Sequence, residues 1–429
     1  MGSLDKKKLA TEIVKKLRQQ GFAAYFVGGC VRDMLMGKAP KDFDITTSAK
    51  PHQIKKNFPR KTHPVGAQFG TMLLVQGKLP FQVSTFRAKH AKYSLSLAED
   101  LSLRDFTING LAYDPLENKI IDLVAAKKDI RQKIIRAIGN PSSRLKEDPL
   151  RLLRAARLAA CLGFRISQET ERAIKKLAKN IKTVSKERIR DELSAMFTGV
   201  YPGRGLLLLD QLDLLRYVLP QVYQLKGVKQ PPAFHPEGDV FLHTLLMLKR
   251  LRNPSLVLVF ACLFHDLGKP ETYEEAERIR FSGHDRVGAR LSDRILKSLR
   301  FSNQARTDIV ACVENHMRFM EAPRMREATL KRLFARPTFE TELKLHYLDC
   351  IASHKDLSVF RFLRKKYRQF KKAPDIPRPI LNGYELIKLG FTPGPIFGKI
   401  HTQLVDLQME GKLRTKSEAR AWVIKKWLK

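Results

Sequence analysis

At 429 residues the chain exceeds one ordinary domain and predicts roughly two to four. Hydrophobic residues at 43% and charged residues at 29% exclude wholesale disorder. The 80 basic against 43 acidic residues leave a net charge of +37, which opposes compaction and points to a polyanionic partner, nucleic acid foremost. The basic residues are spread along the chain rather than gathered beside an apolar anchor, which argues against a membrane surface. The longest apolar run, Leu256 to Phe264, is too short to span a bilayer. The first residues read as an amphipathic helix without a signal-peptide core, and the scattered cysteines fit buried thiols in a reducing cytoplasm. A cytoplasmic location is therefore expected.

In chain order, a helix over 5–20 leads to an apolar strand, AAYFVGG. Further strands are predicted at FDITT (43–47), GTMLLVQ (70–76), FQVSTFR (81–87) and KIIDLV (119–124), from their β-branched and aromatic content between turn residues. From Asp148 onward apolar residues recur every three to four positions, and helix is predicted to the end with no further sheet. Pro231-Pro232 and the KKAPDIPRP stretch at 371–379 punctuate this helical part. The expected architecture is α+β: a small mixed-sheet head over 1–138, a helical neck over 139–228, a further helical domain over 229–370 and a helical tail over 371–429.

The densest constellation is VGGCVRDMLMGKAPKDFDITTSA (27–49). Gly28 and Gly29 end a strand and open a helix, which lets the backbone approach a phosphate. Asp42 and Asp44 flank Phe43; two apart on a strand, their carboxylates share a face and repel unless a cation such as Mg²⁺ sits between them. The plainer alternative is a solvated Asp-x-Asp turn beside an unrelated glycine turn. Further on, Glu147-Asp148-x-x-Arg151 is expected to begin a helix, with Asp148, Arg151 and Arg154 along one ridge and Arg157 one step beyond. A carboxylate there can accept from the exocyclic amino group of cytosine or adenine while a guanidinium donates to the adjacent ring nitrogen. A salt bridge at a helix start would be the bland reading.

GGCVRDMLMG followed by DFDITTSA resembles the signature of class II CCA-adding enzymes and bacterial poly(A) polymerases, within the polymerase-beta-like nucleotidyltransferases. EDLSLRDFTINGLAYDP (99–115) and EDPLRLLRAARLAACLGF (147–164) are similar to further motifs of that family, in the same order. The resemblance implies Mg²⁺ on Asp42 and Asp44, with phosphate and ribose contacts from Gly28, Gly29, Arg32 and Arg104. It implies base selection by Asp148 and Arg151 and nucleotide binding by Arg154 and Arg157, with tRNA, CTP and ATP as partners. Between Arg87 and Glu99 only AKHAKYSLSLA intervenes, shorter than in typical CCA-adding relatives and similar to CC-adding enzymes, so addition of the terminal A stays open. Leu103 stands where relatives usually have the first arginine of an RRD triplet. A poly(A) polymerase acting on RNA 3′ ends is the nearest alternative.

Histidines then recur in a pattern: His243, His265-Asp266, His284, His316 and Asp349. The order resembles the HD phosphohydrolase superfamily, an all-α fold, and implies one or two divalent ions. Imidazole and carboxylate ligands suit Mn, Fe, Ni or Zn. The site is either a catalytic one, acting on RNA ends, or a scaffold. A further reading makes the whole chain an RNA-end phosphohydrolase with a non-catalytic head; a non-catalytic RNA-binding protein rests on charge alone. The basic tail NGYELIKLGFTPGPIFGKIHTQLVDLQMEGKLRTKSEARAWVIKKWLK resembles that of HD-containing members, and would either grip tRNA phosphates or serve as a structural cap.

Overall fold

The computed structural model describes residues 3–59, 61–64, 70–232, 235–370 and 375–428, so the first four residues of the 371–379 stretch lie outside the described part. Two compact units, Met1–Pro220 and Gln221–Lys429, divide the chain.

The first unit opens with helix α1 (Ser3–Gln19). Its Ala10, Ile13, Val14 and Leu17 recur at helical spacing and are at most 1% exposed, so this stripe seals one side of a sheet. The sheet strands are β1 (Ala24–Val27), β2 (Asp44–Thr47), β3 (Thr62–Pro64), β4 (Thr71–Gln76), β5 (Leu79–Thr85), β6 (Leu111–Asp114) and β7 (Lys119–Asp122). They lie in the order β3-β4-β5-β2-β1-β6-β7. The β2–β5 pair is parallel and the other pairs antiparallel, which makes the sheet mixed as expected. Two of these strands, β3 and β6, have no counterpart among the strands expected from sequence. Register places the site: Val27, the last residue of β1, pairs with Asp44, the first of β2. The glycine turn after Val27 thus lies beside Asp44. Phe43 enters the core at 2% exposure and its ring meets Phe26 at 5.3 Å.

Helix α2 (Gly29–Leu35) follows the turn. Gly28 at its head has φ 76°, a left-handed conformation that a side chain would strain. Helices α3 (Pro51–Asn57), α4 (Leu97–Ser102) and α5 (Ala126–Gln132) complete the head. Then come α6 (Pro141–Glu147), α7 (Leu150–Leu162), α8 (Gln168–Leu177), α9 (Lys186–Phe197) and α10 (Pro202–Gln211). The motif around Asp148 does not begin a helix; it straddles two. Asp148 precedes Pro149, whose ring disfavours the helical conformation for the residue before it. Asp148 accordingly adopts φ −144° and ψ 98°, and α7 starts after the proline. The shared ridge of Asp148, Arg151 and Arg154 is therefore corrected: only the arginines ride on the helix.

The second unit is helical around a core rich in Phe and Leu, and among the described residues its one sheet is a hairpin of Glu274–Glu275 with Ile279–Arg280. That hairpin, and Arg165–Ile166, which pairs with Ile134–Ile135 in the first unit, correct the expectation of helix alone from Asp148 onward. Side-chain caps start several helices: Asp239 accepts from Leu242, Ser255 from Leu258 and Ser302 from Ala305. Among the described residues no helix is long and apolar enough to cross a membrane.

Candidate functional site

Two cavities gather the residues singled out above. The first, about 500 Å³, lies in the head and neck and is lined by Gly28, Gly29, Arg32, Asp44, Arg104, Asp148, Arg151, Arg154 and Arg157. Glycine turn and acid arrive by the β1–β2 register, Arg104 from the end of α4, and the last three arginines from one face of α7 at three-residue steps. A side chain at Gly28 would point at the Arg104 guanidinium, 3.5 Å from its Nη1, and one at Gly29 would stand 3.4 Å from Arg32 Nη2. The glycines keep that approach open.

The carboxylates behave differently from one another. Asp44 lines the cavity, and although one side of it is open to solvent its pKa is raised: displacement of its water by the cavity walls is the main cause, Arg104 opposes, and Asp42 adds to the rise. Asp42 lies two residues before β2 rather than on the strand, and is absent from the cavity wall. Its carboxylate is 82% exposed and accepts from Lys6 Nζ at 3.1 Å. Exposed Asp42, buried Phe43 and exposed Asp44 still alternate, so both acids stay on the solvent side of the chain. An all-oxygen pair whose charges disfavour each other suits a hard cation such as Mg²⁺.

The arginines are pre-positioned by partners. Arg32 donates to Asp33 at 2.7 and 2.9 Å and to Asn109 at 2.8 Å. Arg104 donates to Asp100 at 2.9 Å and 3.3 Å. Arg154 bridges Glu192 at 3.0 Å and Asp105 at 3.2 Å, while Arg157 shares Glu192. Arg151 donates to Glu147 at 2.8 Å and to the Arg144 carbonyl at 2.7 Å. Asp148 receives Arg188 on both oxygens, at 2.8 and 3.2 Å. Burial would raise the Asp148 pKa, but the Arg188 bond and charge outweigh it and hold the acid ionised. Asp105 is likewise held below the usual carboxylate range: burial opposes, and Arg154, the Phe106 N–H and Asn109 prevail.

Sequence reasoning missed several residues here. Gln82, Arg87, Asp105 and Asn109 line the cavity. Asp105 and Asn109 stand inside the RDFTING element already quoted and could have been named. Arg188 and Glu192 sit in KERIRDEL, whose periodicity signalled a helix without revealing what its polar face meets.

The second cavity, about 480 Å³, lies in the second unit and is lined by Asp266, His284, His316 and Asp349 of the expected set. His243 and His265 lie outside its wall, at 0% and 1% exposure. All six meet nonetheless. The ligand atoms of His243, His265 and Asp349 lie within 4.8 Å of one another, and so do those of Asp266, His284 and His316. Gly268 is indispensable to this convergence: a Cβ there would fall 2.1 Å from the His284 carbonyl oxygen.

Hydrogen bonding orients the rings. His284 and His316 turn Nδ1 to the carbonyls of Phe281 and Val313, at 2.8 and 2.6 Å, which places the proton on Nδ1 in each. Their Nε2 atoms then face each other at 3.1 Å as two lone pairs, with Asp266 Oδ1 at 3.6 Å from one and 4.0 Å from the other. Burial first, then the neighbouring histidines, lower the His316 pKa to about 3, so a proton is a poor bridge. His265 likewise binds the Cys262 carbonyl through Nδ1 at 2.9 Å, leaving its buried Nε2 without a hydrogen bond. Converging lone pairs of this kind fit a divalent cation. Lys269 Nζ pairs electrostatically with Asp266 Oδ2 at 2.8 Å, and Glu237 accepts from His243 Nδ1 at 2.6 Å; neither was anticipated.

Residues 24–136 match the family described as poly A polymerase head domain, 163–225 the probable RNA and SrmB-binding site of polymerase A, and 239–352 the HD domain. An A-adding tRNA nucleotidyltransferase of Deinococcus radiodurans is 32% identical over 424 residues, spanning 93% of this chain and 94% of that protein. The CCA-adding enzyme of Leuconostoc citreum is 40% identical over 49% of this chain and 54% of its own length. Poly(A) polymerase I of Haemophilus influenzae is 36% identical over 49% and 51%. Among solved structures, the Bacillus stearothermophilus CCA-adding enzyme in complex with CTP superposes with a TM-score of 0.77 at 26% identity, covering 97% of this chain and 96% of that one. The chain is a member of the family that unites class II tRNA nucleotidyltransferases with bacterial poly(A) polymerases, and it carries an HD domain.

Proposed function

We propose that the protein is a tRNA nucleotidyltransferase that adds cytidines to the tRNA 3′ end from CTP, releasing pyrophosphate, without a nucleic-acid template. The observation that carries this is the single cavity joining the glycine turn and Asp44 to Asp148 and a row of arginines. In this reading Asp42 and Asp44 hold Mg²⁺, which would activate the 3′-hydroxyl and neutralise the triphosphate. Gly28 and Gly29 admit the phosphates, and Arg32 and Arg104 bind them together with the ribose. Asp148, held ionised by Arg188, accepts from the cytosine amino group while Arg151 donates to the ring nitrogen; uracil offers the opposite pattern and is refused. Arg154 and Arg157, fixed by Glu192, line the base side of the cavity.

The short segment after Arg87 supports a stop after cytidine. Three bonds pin it: Arg87 N–H to Asp100 at 3.1 Å, Lys89 N–H to Glu99 at 2.8 Å and Ser94 N–H to the Phe86 carbonyl at 3.0 Å. A loop so tethered has little slack to reshape the pocket for adenine. A second reading, terminal A addition, is favoured by the near full-length likeness to the A-adding Deinococcus protein. Incubating tRNA that ends at the discriminator base with CTP, ATP or both, and sequencing the products, tests the proposal. The expected product is CC with no A. Long A tails from ATP alone would instead indicate a poly(A) polymerase.

The division of labour proposed is head 1–138, base-selecting neck 139–228, HD domain 229–370 and RNA-gripping tail 371–429. For the HD site we propose a divalent metal held by His243, His265, Asp266, His284, His316 and Asp349, supporting phosphoester hydrolysis at RNA ends. Metal analysis of the purified protein, with assays on 2′,3′-cyclic phosphate ends, tests it; a metal-free, inert domain would leave a scaffold.

A further inference from the structure

We propose that Arg87 binds the triphosphate of the incoming nucleotide and that Asp100 is the positioning residue that holds it in place. The inference rests on the nucleotidyl-transfer reading above. Each of the other cavity arginines gives at least one guanidinium donor to a protein partner: Arg32 to Asp33 and Asn109, Arg104 to Asp100, Arg151 to Glu147, Arg154 and Arg157 to Glu192. Arg87 does not. Among the described residues its guanidinium makes no hydrogen bond and only approaches Asp100, Nε to Oδ1 at 3.9 Å. Its side chain is 47% exposed and lines the cavity that Asp44 also lines. Donors left over in a basic cavity are what a polyanion recruits.

Asp100 explains why the arginine stands there. The carboxyl is 1% exposed and accepts from Arg104 through Oδ2, from Thr46 Oγ1 at 3.2 Å and from the Arg87 N–H through Oδ1. Thr46 lies two residues beyond Asp44 on β2, so one buried acid ties Arg87 and Arg104 to the strand that carries the candidate metal ligand. Two guanidinium groups share one carboxylate, which leaves a surplus positive charge toward the cavity. Cavity walls that displace part of its water, and the neighbouring Arg104, push the Arg87 pKa down, so an incoming anion relieves a repulsion already present.

The test is the affinity of the full-length protein for CTP and for CMP, measured by equilibrium dialysis with Mg²⁺. The wild type should prefer CTP. Arg87→Ala should weaken CTP by about tenfold or more, the scale of a hydrogen bond to a charged group, and leave CMP unchanged. Arg87→Lys, which restores a charge without the fork, should recover part of the loss. Asp100→Asn should lower the CTP-to-CMP ratio in the same direction, and raise the KM for CTP more than it lowers kcat. Because the Arg87 side chain is half exposed, its variants keep the test independent of whether Asp100→Asn folds. An Arg87→Ala protein with the wild-type ratio overturns this inference alone. A wild type without preference for CTP overturns it together with the nucleotidyl-transfer reading.

Discussion

The two cavities are built on opposite electrostatic plans. In the head, arginines from α4, α7 and the end of β5 outnumber the acids, and the cavity is walled by guanidinium groups held on carboxylate struts. In the HD domain, buried imidazole lone pairs and carboxylates outnumber the cations near them, with Lys269 the close counter-charge to Asp266. The first arrangement lacks negative charge and the second lacks positive charge. A site advertises its ligand by the charge it leaves unbalanced: a polyphosphate in one case, a divalent ion in the other.

Mutation can break this contrast at either end. The largest effect should come from Asp44→Ala, which removes a candidate metal ligand: nucleotide incorporation should fall by at least about three orders of magnitude, the rate equivalent of several kcal/mol. HD metal content in that variant should not change. Conversely, His284→Ala combined with His316→Ala should weaken the HD metal by more than about 100-fold, beyond the usual cost of losing an outer-shell partner. Inductively coupled plasma analysis would read it, and nucleotidyl transfer should continue.

A smaller effect sharpens the picture of the neck. Arg151→Ala should lower the preference for CTP over UTP by about 10- to 100-fold, read as a ratio of kcat/KM values. The smallest concerns pH. The Asp105 pKa is depressed in the folded state, so its contribution to stability is present above the ordinary carboxylate value and lost as pH falls through the folded value. Asp105→Asn should therefore be less stable than wild type at neutral pH, and thermal melts should show the gap narrowing below about pH 3.9.

Much of this was legible in the sequence because the informative patterns are local. Beta-branched and aromatic content between turn residues gave away β2, β4, β5 and β7, an apolar run gave away β1, and the histidine order brought out the six residues that converge in the HD domain. What stayed hidden is tertiary. The struts Arg188 and Glu192 belong to a helix far along the chain from the residues they hold, and periodicity says nothing about such partners. Asp148 was misplaced onto a helical ridge because spacing was weighed above the proline that follows it. Asp42 shows a subtler limit: a two-residue interval predicts a shared side, and does not say that one acid faces a cavity while the other meets Lys6. The strands β3 and β6 escaped because one is short and the other lies in a motif read for its chemistry.

The central claim, a cation and a triphosphate brought together at Asp44, is most directly tested by Mn²⁺ electron paramagnetic resonance in a His284→Ala/His316→Ala background, which silences the HD site. Adding CTP should recruit a Mn²⁺ ion whose signal disappears in Asp44→Ala. CTP-dependent Mn²⁺ binding that survives the loss of Asp44 would contradict the account.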